Sequence, residues 1–147
     1  MKSVLLATMV LALAAPLDAQ AQARPDFSGT WVLDAAKSDQ GGAGRGAGRG
    51  PAAPVVIKQT ATEITVGAIT VKLDGTPTEF QGRGGAAQKV TVKWDGSRLV
   101  STITGDFQGR AYTTTQTRSL SADGTVMTVE NRGARGGTTK QVFTKAN

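Results

Sequence analysis

The chain contains no cysteine and no histidine. Without cysteine it can form no disulfide and carry no lipid-modified cysteine anchor, so the fold must be stable through its core alone. Without histidine it lacks the most frequent general base and the commonest metal ligand. Ser-His-Asp and Cys-His catalytic systems, histidine-based zinc sites and histidine-ligated haem are therefore excluded. We expect a protein that is not an enzyme and that has no catalytic residues, no cofactor and no metal site.

Long hydrophobic runs are also missing, apart from one at the N-terminus. Lys2 precedes an apolar stretch from Val4 to Ala15, Pro16 ends it, and the small-x-small sequence Ala21-Gln22-Ala23 follows. This order is typical of a secretory signal peptide, which we predict over residues 1–23. The run is too short for a transmembrane helix, which needs about 20 apolar residues. We therefore expect a secreted or periplasmic protein with no transmembrane segment in the mature chain.

Acidic residues are fewer than basic ones, and the net charge is +6. Cleavage after Ala23 removes Lys2 and Asp18 and leaves 16 basic and 10 acidic residues. A basic exported protein can meet acidic glycans, anionic lipid heads or nucleic acid. The same charge also serves solubility alone, so composition leaves the partner open.

Helical periodicity is nearly absent from residues 24–147, which have the length of one domain. Short alternating runs rich in Val, Ile and Thr are separated by Asp-Gly and other glycine turns. Such spacing is typical of an antiparallel β-sandwich or β-barrel. The predicted strands cover residues 30–34, 55–59, 63–66, 69–73, 78–81, 88–94, 98–104, 110–120, 125–130 and 140–145.

Two segments resemble a known family. Residues 26–33 read DFSGTWVL, and residues 120–129 read LSADGTVMTV. The first is similar to the Gly-x-Trp opening of lipocalin and calycin barrels, above all the fatty-acid-binding type, and both are similar to small secreted bacterial lipocalin-like proteins. The resemblance implies an all-β fold, an antiparallel up-and-down β-barrel of about eight to ten short strands. The length is also near that of avidin barrels, but Trp31 and Trp94 are few for an avidin-like ligand site.

The resemblance assigns a structural role to Gly29 and Trp31. In the family the tryptophan plugs one end of the barrel, and a basic side chain from a late strand packs on its ring. That contact is a cation–π interaction. We expect Arg118 to supply the cation, with Lys140 as the second candidate.

The family also implies a small ligand inside the barrel, partly apolar and hydrophobic or acidic in character. Residues i and i+2 of a strand share a face, so one face of residues 110–120 is a polar stripe. Facing inward, the stripe suits an acidic ligand, because a guanidinium binds a carboxylate through two hydrogen bonds; facing outward, it is a solvated surface. Trp94, together with Val90 and Val92, either lines a pocket or belongs to the core. The candidate ligand-binding residues are Arg110, Tyr112, Gln116, Arg118 and Trp94.

Three Gly-Arg segments fall between predicted strands, at residues 40–54, 82–85 and 132–137. None opens a helix with Gly-Lys-Ser/Thr, so none is a phosphate-binding P-loop. Nucleic-acid binding is not favoured, because the segments contain no interleaved aromatic residues. They are either flexible connectors, above all residues 40–54, or contacts for an envelope polyanion. The polyanion alternative uses Arg45, Arg49, Arg83, Arg132 and Arg135.

Three aspartates, Asp74, Asp95 and Asp123, each precede a glycine. Aspartate is common in turns because its carboxylate accepts a hydrogen bond from the backbone two residues on. We therefore interpret them as turn residues and predict no pair of catalytic carboxylates.

Overall fold

The structure is a computed structural model, and it describes residues 24–39, 53–82 and 85–146. These residues form strands and turns, and no α-helix occurs among them. The ten strands are β1 (Gly29–Leu33), β2 (Val55–Gln59), β3 (Glu63–Val66), β4 (Ile69–Lys72), β5 (Thr78–Gln81), β6 (Ala87–Asp95), β7 (Arg98–Phe107), β8 (Arg110–Leu120), β9 (Val126–Arg132) and β10 (Thr138–Lys145).

All neighbouring strands pair antiparallel, in the order β4-β3-β2-β1-β10-β9-β8-β7-β6-β5. The sheet curls until its two edges, β4 and β5, approach each other, and this gives a nearly closed up-and-down barrel. An isolated bridge joins Asp74, in the connection from β4 to β5, to Lys93 of β6. The Gly75 N–H donates to the Val92 carbonyl at 3.0 Å beside it. The expected fold class is therefore confirmed, and closure is completed by a local bridge rather than a full strand ladder.

Each predicted strand corresponds to an observed one, and the main differences lie in length. β7 continues through Gly105 to Phe107, although Gly105-Asp106 reads as a turn in sequence. Gly105 lies opposite Tyr112, and a Cβ there would come 2.8 Å from the tyrosine Oη. The glycine therefore makes room for an aromatic side chain across the strand pair.

One end of the barrel, where β1 begins and β10 ends, is sealed by the segment before β1; we call it the closed end. Phe27 and Trp31 are 0% exposed there. The Trp31 Nε1–H donates to the Phe27 carbonyl at 2.9 Å. Gln59 fixes the segment in both directions, since its Oε1 accepts from the Phe27 N–H at 3.1 Å and its Nε2–H donates to the Pro25 carbonyl at 3.1 Å. Trp31 is thus a fully buried, hydrogen-bonded part of the core.

The cation over Trp31 comes from Lys145, whose Nζ lies 5.6 Å from the ring centroid. The expectation of Arg118 or Lys140 is wrong, because β10 pairs with β1 so that Trp31 lies opposite Lys145. Arg118 lies three strands away from β1 in the sheet and faces the barrel interior. Gly29 is required at this point: its φ is 141°, and a Cβ would lie 2.6 Å from the Lys145 Cε.

The turns at the closed end use the predicted aspartates. Asp74 Oδ1 accepts from the Thr76 N–H at 2.8 Å, and this backbone hydrogen bond lowers the Asp74 pKa. Asp95 pairs with Arg98 at 2.7 Å. Asp123 accepts from the hydroxyls of Ser121 and Thr125, and these bonds lower its pKa to about 2. The carboxylates are explained by turn geometry, as the sequence indicates.

The opposite end, which we call the open end, holds the connections that follow β1, β3, β5, β7 and β9. Antiparallel order places the strand ends that flank all three Gly-Arg segments there. The predicted signal peptide at residues 1–23 lies outside the described residues, and so do Arg45, Arg49 and Arg83. Within the described ranges, no helix has the length and apolar character needed to cross a membrane.

Candidate functional site

The polar stripe of β8 faces the inside of the barrel. Arg118 lies opposite Leu99 of β7, which is 0% exposed, and opposite Val129 of β9, which is also buried. Gln116 lies two residues back on the same face, opposite Ser101. Because alternate residues of a strand share a face, Arg118 and Gln116 point inward with these core residues.

In the described part of the barrel, Val66, Gln116 and Arg118 line two interior chambers. The first has a volume of about 140 Å³ and lies next to the gap between β4 and β5; we call it the seam chamber. The second has a volume of about 310 Å³ and lies under β1, β2, β9 and β10; we call it the back chamber. The seam chamber is further lined by Ile64, Ile69, Val71, Phe80, Val90, Val92, Leu99, Ser101 and Ile103. The back chamber is further lined by Leu33, Ala53, Val55, Ile57, Met127, Val129, Gln141 and Phe143.

Among the residues that the structure describes, Arg118 is the one arginine that lines these chambers, and it stands between them. Its Nη1–H donates to the Ser101 Oγ at 3.2 Å, and Ser101 is itself buried. The ion pairs between described residues are Lys37–Asp34, Lys89–Glu79 and Arg98–Asp95, so no described carboxylate neutralises Arg118. Burial lowers the pKa of the guanidinium to about 10, which leaves it charged at neutral pH.

A chain of side-chain amides crosses the interior beside Arg118. The Gln116 Nε2–H donates to Asn131 Oδ1 at 2.6 Å, and the Asn131 Nδ2–H donates to Gln141 Oε1 at 3.2 Å. These residues belong to β8, β9 and β10, so the amides connect three adjacent strands. The hydrogen bonds hold Gln116 in place beside the guanidinium and so pre-organise the polar wall.

The other candidate ligand residues lie elsewhere. Tyr112 packs against Gly105, nearer the open end, and Arg110 is exposed where β8 begins. Trp94 lies at the closed end, with its ring 6.2 Å from that of Phe27 and with the Arg24 guanidinium 5.4 Å above it. The structure thus brings Gln116 and Arg118 together at the chambers and places the remaining three candidates outside the two linings.

The basic residues of the alternative site are only partly described. Arg132, the last residue of β9, and Arg135, in the connection to β10, are both exposed. The polyanion alternative therefore remains a prediction from sequence. No group of three or more acidic side chains in the described ranges is arranged to hold a metal ion.

Sequence reasoning missed Ser101, Asn131 and Gln141. Ser101 is the buried polar residue in an otherwise apolar face between Leu99 and Ile103, and a buried polar group needs a hydrogen-bond partner. The serine between two apolar residues on this face was the one sign in the sequence that a polar group lies inside the barrel. Asn131 and Gln141 carried no such signal, because their inward placement depends on how β9 and β10 pair with β8.

No family model matches the sequence, and no curated protein matches it either. Among solved structures, the REP1-NXSQ fatty acid transporter matches with a TM-score of 0.57 and 14% identity, over 82% of this chain and 96% of that one. A mutant of the fluorescent protein UnaG matches with a TM-score of 0.53 and 18% identity, over the same shares of the two chains. At these identities the likeness is one of fold. It agrees with the ten-stranded antiparallel architecture, and the chain therefore has a lipocalin-like, calycin-type β-barrel fold.

Proposed function

We propose that this protein binds a small organic anion with an apolar body inside its barrel and works as a carrier or binding protein rather than an enzyme. The observation that carries the proposal is Arg118, a cation without a described acidic partner, placed between two largely apolar chambers. A charge taken out of water costs free energy unless an opposite charge or several hydrogen bonds compensate it. A ligand carboxylate supplies both, because a guanidinium can donate two parallel hydrogen bonds to it.

The chamber walls support the same proposal. Most lining residues are branched aliphatic side chains, and the polar groups converge on one region around Arg118 and Gln116. Apolar walls with a few fixed polar groups are typical of small-molecule sites, in which the polar groups set orientation and specificity. The similarity in fold to a fatty acid transporter is consistent with an apolar acid as ligand.

We also propose that the protein works outside the cytoplasm. The support is the predicted signal peptide over residues 1–23. Detection of the mature N-terminus in a periplasmic or culture fraction tests this part separately. A full-length chain confined to the cytoplasm would contradict it.

The charge requirement is tested by calorimetric titration with acids and their neutral amides. Benzoate and octanoate should each bind about tenfold or more tightly than benzamide and octanamide, since only the acids pair with the guanidinium. Arg118→Met should remove this preference. Arg110→Met is the matched control, because Arg110 lies on the same strand but outside both chambers, and it should leave the preference intact. Equal binding of acids and amides to the unmodified protein would refute the anion site.

A further inference from the structure

The barrel has a lateral opening between β4 and β5, which we call the seam. These strands are the two edges of the sheet, and no described hydrogen-bond ladder joins them. Near the closed end, the Asp74–Lys93 bridge and the bond from the Gly75 N–H to the Val92 carbonyl join the β4–β5 connection to β6. From this bridge to the open end, no described strand pairing joins β4 to β5.

The seam chamber lies directly behind this opening. Ile69 comes from β4 and Phe80 from β5, so residues of both edge strands form its outer wall. Ile69 is 36% exposed although it lines the chamber, as expected for a side chain at the rim of an opening. The far wall is formed by β7 and β8, which contribute Ser101 and Arg118. A molecule that passes the seam therefore meets apolar side chains first and the guanidinium last.

The size of the chamber limits what can occupy it. Its volume of about 140 Å³ is close to that of a cavity of roughly 150 Å³ that accepts one benzene molecule in another protein. The polar groups, Ser101, Gln116 and Arg118, all come from β7 and β8, so they face one edge of an occupant. The remaining walls are apolar. The chamber is thus complementary to a compact apolar body with one anionic group.

From this geometry we infer that the seam chamber is a site for single-ring organic acids, which enter between β4 and β5. The inference rests on the proposed function, since it takes Arg118 to be the anion-binding residue. It adds the ligand class, because the seam chamber's volume of about 140 Å³ matches a single ring. It also assigns specificity to the chamber walls: Val90 and Phe80 limit the length of the ligand.

The preference for rings over chains is measurable on the unmodified protein. Each additional buried methylene raises affinity about fourfold when a site can accommodate it. An unrestricted apolar site would therefore bind decanoate far more tightly than benzoate or phenylacetate. In calorimetric titrations we expect the reverse order, with the two ring acids binding about tenfold more tightly than decanoate and palmitate.

Two valine-to-phenylalanine variants locate the bound ring. Val90→Phe fills the seam chamber, whereas Val55→Phe fills the back chamber, and each valine lines only one of the two. We expect Val90→Phe to weaken benzoate binding about tenfold and Val55→Phe to change it less than about twofold. Thermal unfolding of both variants verifies that they fold.

The outcomes separate this inference from the proposed function. Tighter binding of decanoate than of the ring acids would overturn the seam site. Loss of benzoate binding in Val55→Phe but not in Val90→Phe would do the same. Neither result contradicts the proposal that Arg118 binds an anion. Failure of all four acids to bind would overturn both. Because the order of affinities is read on the unmodified protein, a variant that fails to fold does not remove the test.

Discussion

At the closed end of the barrel Phe27 and Trp31 are fully buried, whereas the connection between β9 and β10 at the open end consists of exposed Gly, Ala and Arg residues. The closed end also carries two hydrogen bonds between Gln59 and the segment before β1, one in each direction, and the contact of Lys145 with Trp31. Between the two ends lie the chambers and Arg118. The comparison indicates that stability is concentrated at the closed end, while the interior holds a charge with no described acidic partner, which costs stability.

The largest expected effect comes from Trp31→Ala. The variant loses the buried ring, its hydrogen bond to the Phe27 carbonyl and its contact with Lys145. Truncation of a buried aromatic residue costs about 3–5 kcal/mol. We expect the urea midpoint to fall accordingly, whereas Arg135→Ser at the open end should change the free energy of unfolding by less than about 0.5 kcal/mol. Similar losses for the two variants would contradict the contrast between the ends.

A smaller effect of opposite sign is expected for Arg118→Met. Replacement of a buried charge by an apolar side chain of similar length removes a desolvation cost and is often neutral or stabilising, by about 1 kcal/mol or more. The free energy of unfolding from urea titrations should therefore stay equal or rise, with an unchanged denaturant slope. A clear loss of stability would mean that Arg118 has a structural partner and is not held ready for a ligand.

The smallest effect concerns the pH dependence of the turn at Asp123. Its pKa is about 2 in the folded protein, below the ordinary value of 3.8, because Ser121 and Thr125 donate hydrogen bonds to the carboxylate. A lowered carboxylate pKa stabilises the fold above pH 4, and the contribution is lost as the pH falls through about 2. Asp123→Asn should lower the melting temperature slightly at neutral pH, and this difference should vanish as the pH falls through about 2. If the melting temperatures of the two proteins still differ by the same amount at low pH, the lowered pKa of Asp123 is not the cause of the difference.

Much of the fold could be predicted from sequence because its signals are local. Asp-Gly turns mark the strand ends, and the alternation of Val90 and Val92 with lysines fixes the inner face of β6. Gly105 misled the prediction, since a glycine that makes room for Tyr112 cannot be distinguished in sequence from a turn glycine.

The site was harder to predict because it depends on non-local pairing. β8 is polar on both faces, so its own sequence does not show which face is buried; the pairing of Arg118 with Leu99 decides it. The cation on Trp31 depends in the same way on the pairing of β1 with β10. The candidates Gln116 and Arg118 could therefore be named in advance, but their position between two chambers could not.

The most direct test of the anion site is a heteronuclear NMR titration of the unmodified protein with benzoate. Shifts should concentrate at Ile103, Gln116 and Arg118, around the seam chamber, and Trp31 and Arg135 should remain unaffected. Shifts confined to Arg132 and Arg135, with the interior unchanged, would contradict an internal site and favour a basic surface instead.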